Sequence, residues 1–391
     1  MNRTFIARNP SVLVFLALLG LFTITVTILS EGFGLGLIST SFVKTLGKTL
    51  CLCLVAIAMD LIWGYTGILS LGHFAFFALG GYMIGMWLMY ERTRQIVETS
   101  LSNGVLPPTP DEISAAIGNQ IFGVVGSSEF PLIWAFADSL VLQLAFVVLV
   151  PGVLALVFGW LAFRSRVTGV YLSILTQAMT LGLSLYLFQN ASGLRGNNGL
   201  SGLQNLPGIE APQAVVSLWF FWASALALGL GYLLVAWVVS GKFGSVLRGI
   251  RDNEARVRFL GYSVEHYKLT VFALTACIAG IAGALYYPQA GIINPAELAP
   301  IASIYLAVWV AIGGRGRLYG AVIGTAFVSL LSSWFTGGQA PDISLGNYTL
   351  KWVDWWLVLL GVSFVLVTLF APKGIGGLFD RLSPARKGPT P

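Results

Sequence analysis

The chain has 391 residues, of which 56% are hydrophobic and only 10% are charged. An average soluble domain carries about 25% charged residues, so this composition excludes an ordinary soluble enzyme or binding protein. The formal net charge of +6 follows from Lys and Arg residues placed around apolar runs, and it does not indicate nucleic-acid binding.

Apolar runs long enough to cross a membrane, about 20 residues each, recur along the whole chain. They predict an all-α polytopic membrane protein with about ten transmembrane helices. The predicted spans are residues 11–29, 46–63, 68–90, 139–163, 168–188, 214–239, 269–287, 300–313, 318–335 and 352–370. Only residues 64–67 separate the second span from the third, so one or two helices are candidates for a broken or re-entrant course. The short run 300–313 is another such candidate.

The distribution of positive charge sets the orientation. With the N-terminus inside, 16 of the 22 Lys and Arg residues lie on the inner side and six on the outer side. The positive-inside rule therefore predicts that both termini are cytoplasmic. The transmembrane domain is predicted to cover residues 1–382, with an external loop at 91–138 and a cytoplasmic loop at 241–268. Residues 383–391, which contain three Pro, one Arg and one Lys, are predicted to be a disordered tail.

A glycine-rich stretch occupies residues 63–82 and contains Ser70 and His73. Glycine is unfavourable inside a helix, so this density indicates either close helix packing or a broken helix beside a polar pathway. Packing is the preferred interpretation for the glycines, since Gly81 and Gly85 have the spacing of a packing motif. Ser70 and His73, polar at membrane depth, are predicted to line a solute pathway.

Three amides are further candidates for this pathway. Gln177 stands alone in an otherwise apolar span, and Asn197 and Asn198 follow that span on the predicted outer side. Asn-Gly is foremost a turn signal, so a turn remains the alternative interpretation for the two asparagines.

The predicted spans contain few ionisable side chains, namely Lys48, Asp60, His73 and Asp354. Proton- and ion-coupled carriers depend on such groups, so the driving force must come from outside this chain, or the protein is a passive channel. Gly47-Lys48-Thr49 is not a phosphate-binding loop, because Phe42 stands where that motif requires glycine. Three cysteines in apolar runs and two histidines predict no catalytic residue, no metal and no cofactor.

Residues 241–268 form the one densely charged interval. Phe243, Leu247, Ile250, Val257 and Leu260 recur at three- and four-residue steps, which predicts the apolar face of a helix. Such a loop is typical of a topology anchor or of a helix lying on anionic lipid, and docking of a soluble partner is the third interpretation. The residues predicted to serve docking are Leu247, Arg248, Ile250, Arg251, Asp252, Glu254, Arg258 and Gly261.

Several motifs resemble one known family. The run Gly67-Ile68-Leu69-Ser70-Leu71-Gly72-His73-Phe74-Ala75-Phe76-Phe77 is similar to the hallmark of LivM-type permeases of branched-chain amino acid ABC importers. So is the loop Leu247-Arg248-Gly249-Ile250-Arg251-Asp252-Asn253-Glu254. Four segments resemble, more narrowly, the urea-importer (UrtC-type) branch: residues 163–171, 196–200, 292–295 and 309–316.

The resemblance implies a permease subunit of a bacterial inner (plasma) membrane importer. It implies a second homologous permease, two cytoplasmic ATPase subunits and an external solute-binding protein as partners, besides membrane lipid and without nucleic acid. Residues 241–268 would then be the coupling loop, and ATP hydrolysis on the partner ATPases would drive alternating access in a chain that is not itself an enzyme.

The resemblance also implies a solute. Urea is neutral and strongly hydrogen-bonding, which suits spans with few charges. The alternatives are a branched-chain amino acid permease, a structural subunit of a membrane complex and a passive urea channel.

Overall fold

The computed structural model describes residues 10–101, 109–123, 130–165, 167, 169–337, 343–345, 348–370 and 374–377. These residues are predominantly α-helical. The helices are α1 Pro10–Leu29, α2 Thr40–Thr66, α3 His73–Leu101, α4 Pro110–Phe122, α5 Leu140–Arg164, α6 Val170–Phe188, α7 Gln213–Ser240, α8 Lys242–Phe259, α9 Val264–Ala290, α10 Pro300–Gly313, α11 Leu318–Thr336 and α12 Trp352–Phe370. The predicted tail at 383–391 lies outside the described residues.

Each predicted span corresponds to a helix. Eight of the helices in the described part of the chain (α1–α3, α5–α7, α9 and α11) are long and apolar enough to cross a membrane, and α10 and α12 contain shorter apolar segments. The prediction of an all-α polytopic membrane protein is confirmed. α2 has 27 residues and α3 has 29, so each is long enough to cross, and the helical path is interrupted between them, at residues 67–72.

Glycines allow the central helices α2, α3 and α9 to approach closely. A Cβ atom on Gly80 of α3 would lie 2.1 Å from the Gly280 carbonyl oxygen of α9, and one on Gly283 would lie 1.7 Å from the Phe77 carbonyl oxygen. Real Cβ atoms cannot occupy such positions, so Gly80 and Gly283 serve close packing of the two helices. Around this centre, α1, α5 and α12 leave many large apolar side chains exposed, as expected for helices that contact lipid or another membrane subunit.

One end of the bundle, predicted to be extracytoplasmic and called the outer end, is closed by short segments. The α3 helix continues beyond residue 90 to Leu101. It packs against α4, whose N-terminus has a capping box between Thr109 and Glu112. Strand β1 (Leu200–Ser201) pairs antiparallel with β2 (Ile292–Ile293). A second antiparallel pair joins β3 (Ile343–Leu345) to β4 (Tyr348–Leu350).

The opposite end, predicted to be cytoplasmic and called the inner end, carries three connecting segments. They are residues 67–72 between α2 and α3 (the inner connection), residues 314–317 between α10 and α11 (the inner turn), and α8. The α2 helix ends where Gly67 takes a left-handed conformation, with φ of 77°, because that cap geometry favours glycine. These segments meet around the last turns of α2.

Candidate functional site

Ser70 and His73 lie in and beside the inner connection. Both are completely buried, and the Nδ1 atom of His73 lies 3.4 Å from the Ser70 carbonyl oxygen. Within the described part of the chain, Ser70 Oγ and His73 Nε2 are buried without a hydrogen-bond partner. Buried polar atoms are normally paired, so these two have unused capacity for a polar solute or a water molecule.

A line of hydroxyl side chains on α6 holds the inner connection. Ser173 Oγ donates a 2.6 Å hydrogen bond to the Leu69 carbonyl oxygen, and the Leu71 N–H donates one of 3.0 Å to Thr176 Oγ1. Further along the helix, Ser184 Oγ donates a 3.0 Å hydrogen bond to the Pro295 carbonyl oxygen. The α6 hydroxyl line, defined as Ser173, Thr176, Thr180 and Ser184, is buried and connects the inner end to the outer end.

The α6 hydroxyl line was not among the predicted site residues. Its signal was present, since the four positions are three or four residues apart and therefore share one helix face. Gln177 follows Thr176 on the same helix and is half-buried, and its side chain makes no hydrogen bond to a described residue. Asn197 and Asn198 are exposed in the short 3-10 turn Gly196–Asn198. The structure therefore groups Ser70, His73 and the α6 helix, and leaves the two asparagines apart.

The α8 helix consists of two halves. Its backbone is non-helical at Asn253, with φ of −160° and ψ of 94°. The Asn253 Oδ1 atom accepts a 3.0 Å hydrogen bond from the Arg256 N–H, so Asn253 caps the second half as asparagine does at a helix N-terminus.

The apolar face of α8 turns toward its own chain. Leu247 and Ile250 are 0% and 4% exposed, so they hold α8 against the bundle and leave partner contact to other residues. Phe259 and Leu260, in contrast, are 93% and 71% exposed, and Tyr262 beyond Gly261 is also exposed. Phe259 and Tyr262, which the sequence analysis did not select, thus form an apolar tip at the inner end.

The first half of α8 is attached to α2 and α7. Arg251 Nη1 donates a 2.9 Å hydrogen bond to the Gly64 carbonyl oxygen, and Arg248 Nη1 donates one of 3.1 Å to the Val239 carbonyl oxygen. Asp252 is exposed and pairs with the neighbouring Arg251 at 3.0 Å. Any displacement of this half therefore acts on the ends of two spans.

The second half of α8 is attached to α9. Glu254 accepts hydrogen bonds from Arg258 at 2.8 Å and from Lys268 at 2.6 Å, and Arg258 also pairs with Glu265. Desolvation acts to raise the pKa of Glu254, but the hydrogen bonds from Lys268 and Arg258 outweigh it, so the pKa is lowered. The carboxylate is thus ionised at neutral pH.

The inner turn is attached to α2 through a buried carboxyl group. Asp60 is 0% exposed, and its Oδ1 atom accepts a 2.6 Å hydrogen bond from the Gly316 N–H. The Arg315 guanidinium lies over the Trp63 ring at 5.2 Å from its centroid, within the range of a cation–π contact. Together, Asp60, Gly64 and Arg251 join α2, the inner turn and α8.

The described residues contain no group of three His, Cys, Asp or Glu side chains that could hold a metal ion. The chemistry of this arrangement is hydrogen bonding by hydroxyls, amides and backbone groups inside the bundle, and ion pairing at its inner end.

Comparison with known proteins connects this architecture to transport. The family model described as "Branched-chain amino acid transport system / permease component" matches residues 41–368. The match covers the helices from α2 to the greater part of α12, including α8 and the α6 hydroxyl line.

Individual relatives are more distant. The chain is 21% identical over 361 residues to the high-affinity branched-chain amino acid transport system permease protein LivM of Escherichia coli K12, covering 87% of this chain and 71% of the relative. It is 28% identical over 190 residues to the autoinducer 2 import system permease protein LsrC of Escherichia coli DH10B, covering 46% of this chain and 54% of that relative. No solved structure matches the chain at a significant level.

Proposed function

The chain belongs to the family of permease components of branched-chain amino acid transport systems, and we propose that within this family it carries urea inward across the membrane, driven by separate ATPase subunits. The chain is a multi-pass inner-membrane protein and a permease subunit of an ABC importer.

The attachment of α8 to several spans is the observation that carries the proposal. Its first half contacts α2 through Arg251 and Gly64, and its second half contacts α9 through Glu254 and Lys268. A cytoplasmic ATPase that binds the exposed apolar tip of Phe259 and Tyr262 would therefore move the ends of two central helices. Such a movement can open the bundle alternately to its two sides.

The coupling residues divide into two roles in this mechanism. Leu247, Ile250, Arg248 and Arg251 hold α8 on the bundle, whereas Asp252, Gly261 and the apolar tip face the inner solution and are the surface for the ATPase. Glu254 and Arg258 join the two sets through the ion pairs to α9.

The polar groups within the bundle support a small neutral solute. Urea offers four N–H donors and one carbonyl acceptor, so it needs hydroxyls and amides along its path. Ser70 Oγ and His73 Nε2 have no partner in the described residues, and Gln177 lies on the helix that carries the α6 hydroxyl line. Asn197 and Asn198, exposed at the outer end, are proposed as contacts at entry.

A branched-chain amino acid is the second candidate solute. The similarity to LivM over 87% of the chain favours it, since that relative is a branched-chain amino acid permease protein. An amino acid brings one positive and one negative charge, and only four ionisable residues in the predicted spans could pair with those charges. Urea is uncharged and needs no such partner.

The exposed apolar side chains of α5 and α12 support an assembly with further membrane subunits. We propose a second homologous permease beside this chain, two ATPases at the inner end and a solute-binding protein at the outer end.

Uptake of labelled urea and labelled leucine tests the proposal. Cells that lack both transport systems would receive this chain with its cognate ATPases, second permease and solute-binding protein. ATP-dependent accumulation of urea but not leucine is the expected result, and accumulation of leucine alone would establish the second candidate.

Two further outcomes would contradict the mechanism. Urea flux that persists in ATP-depleted vesicles would identify a passive channel. Co-purification with redox subunits, and no dependence of transport on Arg251 or Asp252, would identify a structural subunit of another membrane complex.

A further inference from the structure

Asp60 lies near the inner end of α2, where this helix meets the inner turn. Its side chain is 0% exposed, and its Oδ1 atom accepts the 2.6 Å hydrogen bond from the Gly316 N–H. Its Oδ2 atom is also buried, but has no hydrogen-bond partner in the described part of the chain. Arg251 and Arg315 act on this carboxyl group electrostatically. Buried polar atoms are normally paired, and an ionisable side chain at membrane depth indicates a functional role, so the unsatisfied oxygen needs an explanation.

The contact beside Asp60 is formed by backbone. A Cβ atom on Gly64 would lie 2.5 Å from the Gly316 backbone nitrogen and 2.7 Å from the Gly316 Cα atom. The last turn of α2 and the inner turn therefore touch directly. Because glycine has no side chain, the two backbones can separate and rejoin here without a change of rotamer in either residue.

The inner turn is held on its other side by residues 374–377. A Cβ atom on Gly374 would lie 2.4 Å from the Gly314 Cα atom, and the Tyr319 hydroxyl group donates a 3.4 Å hydrogen bond to the Gly376 carbonyl oxygen. The inner turn thus forms a unit with the start of α11 and with the segment that follows α12. Its hydrogen bond to Asp60 joins this unit to α2.

A second hydrogen bond joins α2 to α11 nearer the outer end. Thr49 Oγ1 and Ser329 Oγ lie 3.1 Å apart, and both side chains are buried. Thr49 precedes Asp60 by 11 positions, which corresponds to about 16 Å along a helix axis. A tilt of α2 about the Thr49–Ser329 pair would separate α2 from the inner turn and leave the outer part of the helix in place.

The inner connection, with Ser70 and His73, directly follows this end of α2. Both side chains are completely buried, so the structure shows this part of the candidate pathway closed. A Cβ atom on Gly67 would lie 3.2 Å from Arg251 Cγ, so α8 covers the start of the connection. The end of α2 therefore lies between the candidate pathway and the two inner segments attached to it, which are α8 and the inner turn.

We propose that Asp60 and Gly64 of α2, together with Gly316 of the inner turn, form an inner gate that opens when solute leaves toward the inner side. Displacement of α8 would act on α2 through the hydrogen bond from Arg251 to Gly64 and draw α2 away from the inner turn. In the open state, water reaches both carboxyl oxygens of Asp60, and this hydration offsets the lost hydrogen bond to Gly316. The two states therefore differ little in free energy, as a transport cycle requires.

This inference rests on the ATP-driven transport proposed above, and a releasable cross-link in the complete transporter tests it. Trp63→Cys and Arg315→Cys would be combined in a chain whose native Cys51, Cys53 and Cys277 are replaced by alanine. The two positions face each other across the gate, since the Arg315 guanidinium lies 5.2 Å from the centroid of the Trp63 ring. A bifunctional methanethiosulfonate reagent would join the two thiols, and dithiothreitol would release them. The controls are the two single-cysteine variants, treated in the same way.

Uptake by the cross-linked double variant is expected to fall to the level measured without ATP and to return after release. The reagent should leave uptake by the single-cysteine variants unchanged. Uptake by the cross-linked protein that equals uptake before cross-linking would show that α2 and the inner turn move as one body, and would overturn the inference.

The accessibility of position 70 provides a second test, which does not depend on transport by the double variant. Ser70→Cys, in the same alanine background, would be treated with a membrane-impermeant maleimide in inside-out vesicles. Adding Asp60→Ala is expected to raise the labelling rate about tenfold, because the loss of one hydrogen bond shifts the gate toward its open state. Adding Asp354→Ala instead, at an exposed position of α12, should leave the rate unchanged. Equal rates with Asp60→Ala and Asp354→Ala would contradict the gate.

A labelling control separates gate opening from general loosening of the bundle. Ala78 of α3 is as deeply buried as Ser70, so Ala78→Cys should stay unreactive when Asp60→Ala is added. Similar labelling at positions 70 and 78 would assign Asp60 a purely structural role and overturn the inference.

Failure of the gate and failure of the urea proposal give different results. If the wild type imports urea and the cross-link has no effect, the gate is wrong and the proposed function stands. If the wild type imports leucine alone, urea is wrong, and the gate stands only if the cross-link stops the uptake of leucine.

Discussion

Arg251 Nη1 donates a 2.9 Å hydrogen bond to the carbonyl oxygen of Gly64, 187 positions earlier in the chain. Arg251 belongs to helix α8 at the inner end, and Gly64 belongs to the last turn of the central span α2. The last carbonyl groups of a helix have no partner within the helix, so a guanidinium is well suited to bind one of them. This contact is the most direct link between the surface proposed for the ATPase and the interior of the bundle.

Replacing Arg251 by alanine is expected to uncouple ATP hydrolysis from transport. The variant loses a charge-assisted hydrogen bond between α8 and α2, and such bonds contribute roughly 1.5–3 kcal/mol. We expect uptake per ATP hydrolysed to fall about tenfold while the ATPase subunits stay bound. Lys242→Ala is the control, since it removes one positive charge from the exposed start of α8. Equal ratios of solute to ATP in the two variants would contradict the role of Arg251.

Replacing Asp60 by alanine is expected to destabilise the protein. The Gly316 N–H would lose its buried acceptor, and an unsatisfied buried donor costs about 1–3 kcal/mol. The thermal unfolding midpoint of the solubilised protein should fall clearly. The midpoint of Asp60→Asn, which keeps an acceptor oxygen, should stay closer to the wild-type value. Asp354→Ala, at an exposed position of α12, serves as control. An unfolding midpoint of Asp60→Ala equal to that of Asp354→Ala would show that the Gly316 contact is unimportant.

Replacing Gly64 by alanine is expected to separate α2 from the inner turn. The added Cβ atom would lie 2.5 Å from the Gly316 backbone nitrogen and 2.3 Å from Asp60 Oδ1, and overpacking of this kind costs about 1–3 kcal/mol. Transport and the unfolding midpoint should both fall.

The matched control for Gly64 is Gly182→Ala in α6. Apart from the neighbouring residues and backbone of its own helix, no atom lies within 4 Å of its added Cβ. Alanine is also the better helix former, so the unfolding midpoint should stay level or rise. Comparable losses in both variants would show that the close approach at Gly64 does not determine the result.

Glu254 makes the inner end sensitive to acid. Its pKa in the folded protein lies below the ordinary value of 4.5, so the ionised carboxylate stabilises the folded state at neutral pH. This contribution is complete above pH 4.5 and is lost as the pH falls through the lowered pKa. Unfolding midpoints of the wild type and Glu254→Gln should therefore differ at pH 7 and converge in acid. The control is Glu210→Gln, which removes an exposed carboxyl group between α6 and α7, and a constant gap between wild type and Glu254→Gln would contradict this assignment.

The helices of this protein were predictable because the membrane constrains them. A span has to satisfy all its backbone groups internally over about 20 apolar residues, and this requirement leaves a long, unambiguous pattern in the sequence. The packing role of the glycines in residues 63–82 followed from the same constraint. The attribution to a permease family could be made from short motifs, and the match over residues 41–368 confirms it.

The contacts of the candidate site were less predictable. Periodicity showed that Leu247 and Ile250 share one face of α8, but it does not show whether that face meets a partner or the chain itself. The α6 hydroxyl line was visible as a spacing of three and four residues. The assignments of Ser70, His73, Gln177, Asn197 and Asn198 to a solute pathway stay predictions.

The interruption at Asn253 divides α8 into two helical halves that are attached to different helices of the bundle. Only Asn253 there departs from helical geometry; the first half contacts α2 and α7 through Arg251 and Arg248, and ion pairs join the second half to α9. Under the proposed coupling, a displacement of α8 would reach the bundle through two separate attachments, one to α2 and α7 and one to α9. A substitution or insertion at Asn253 would change how the two halves are placed relative to each other, without altering any residue proposed to contact the solute.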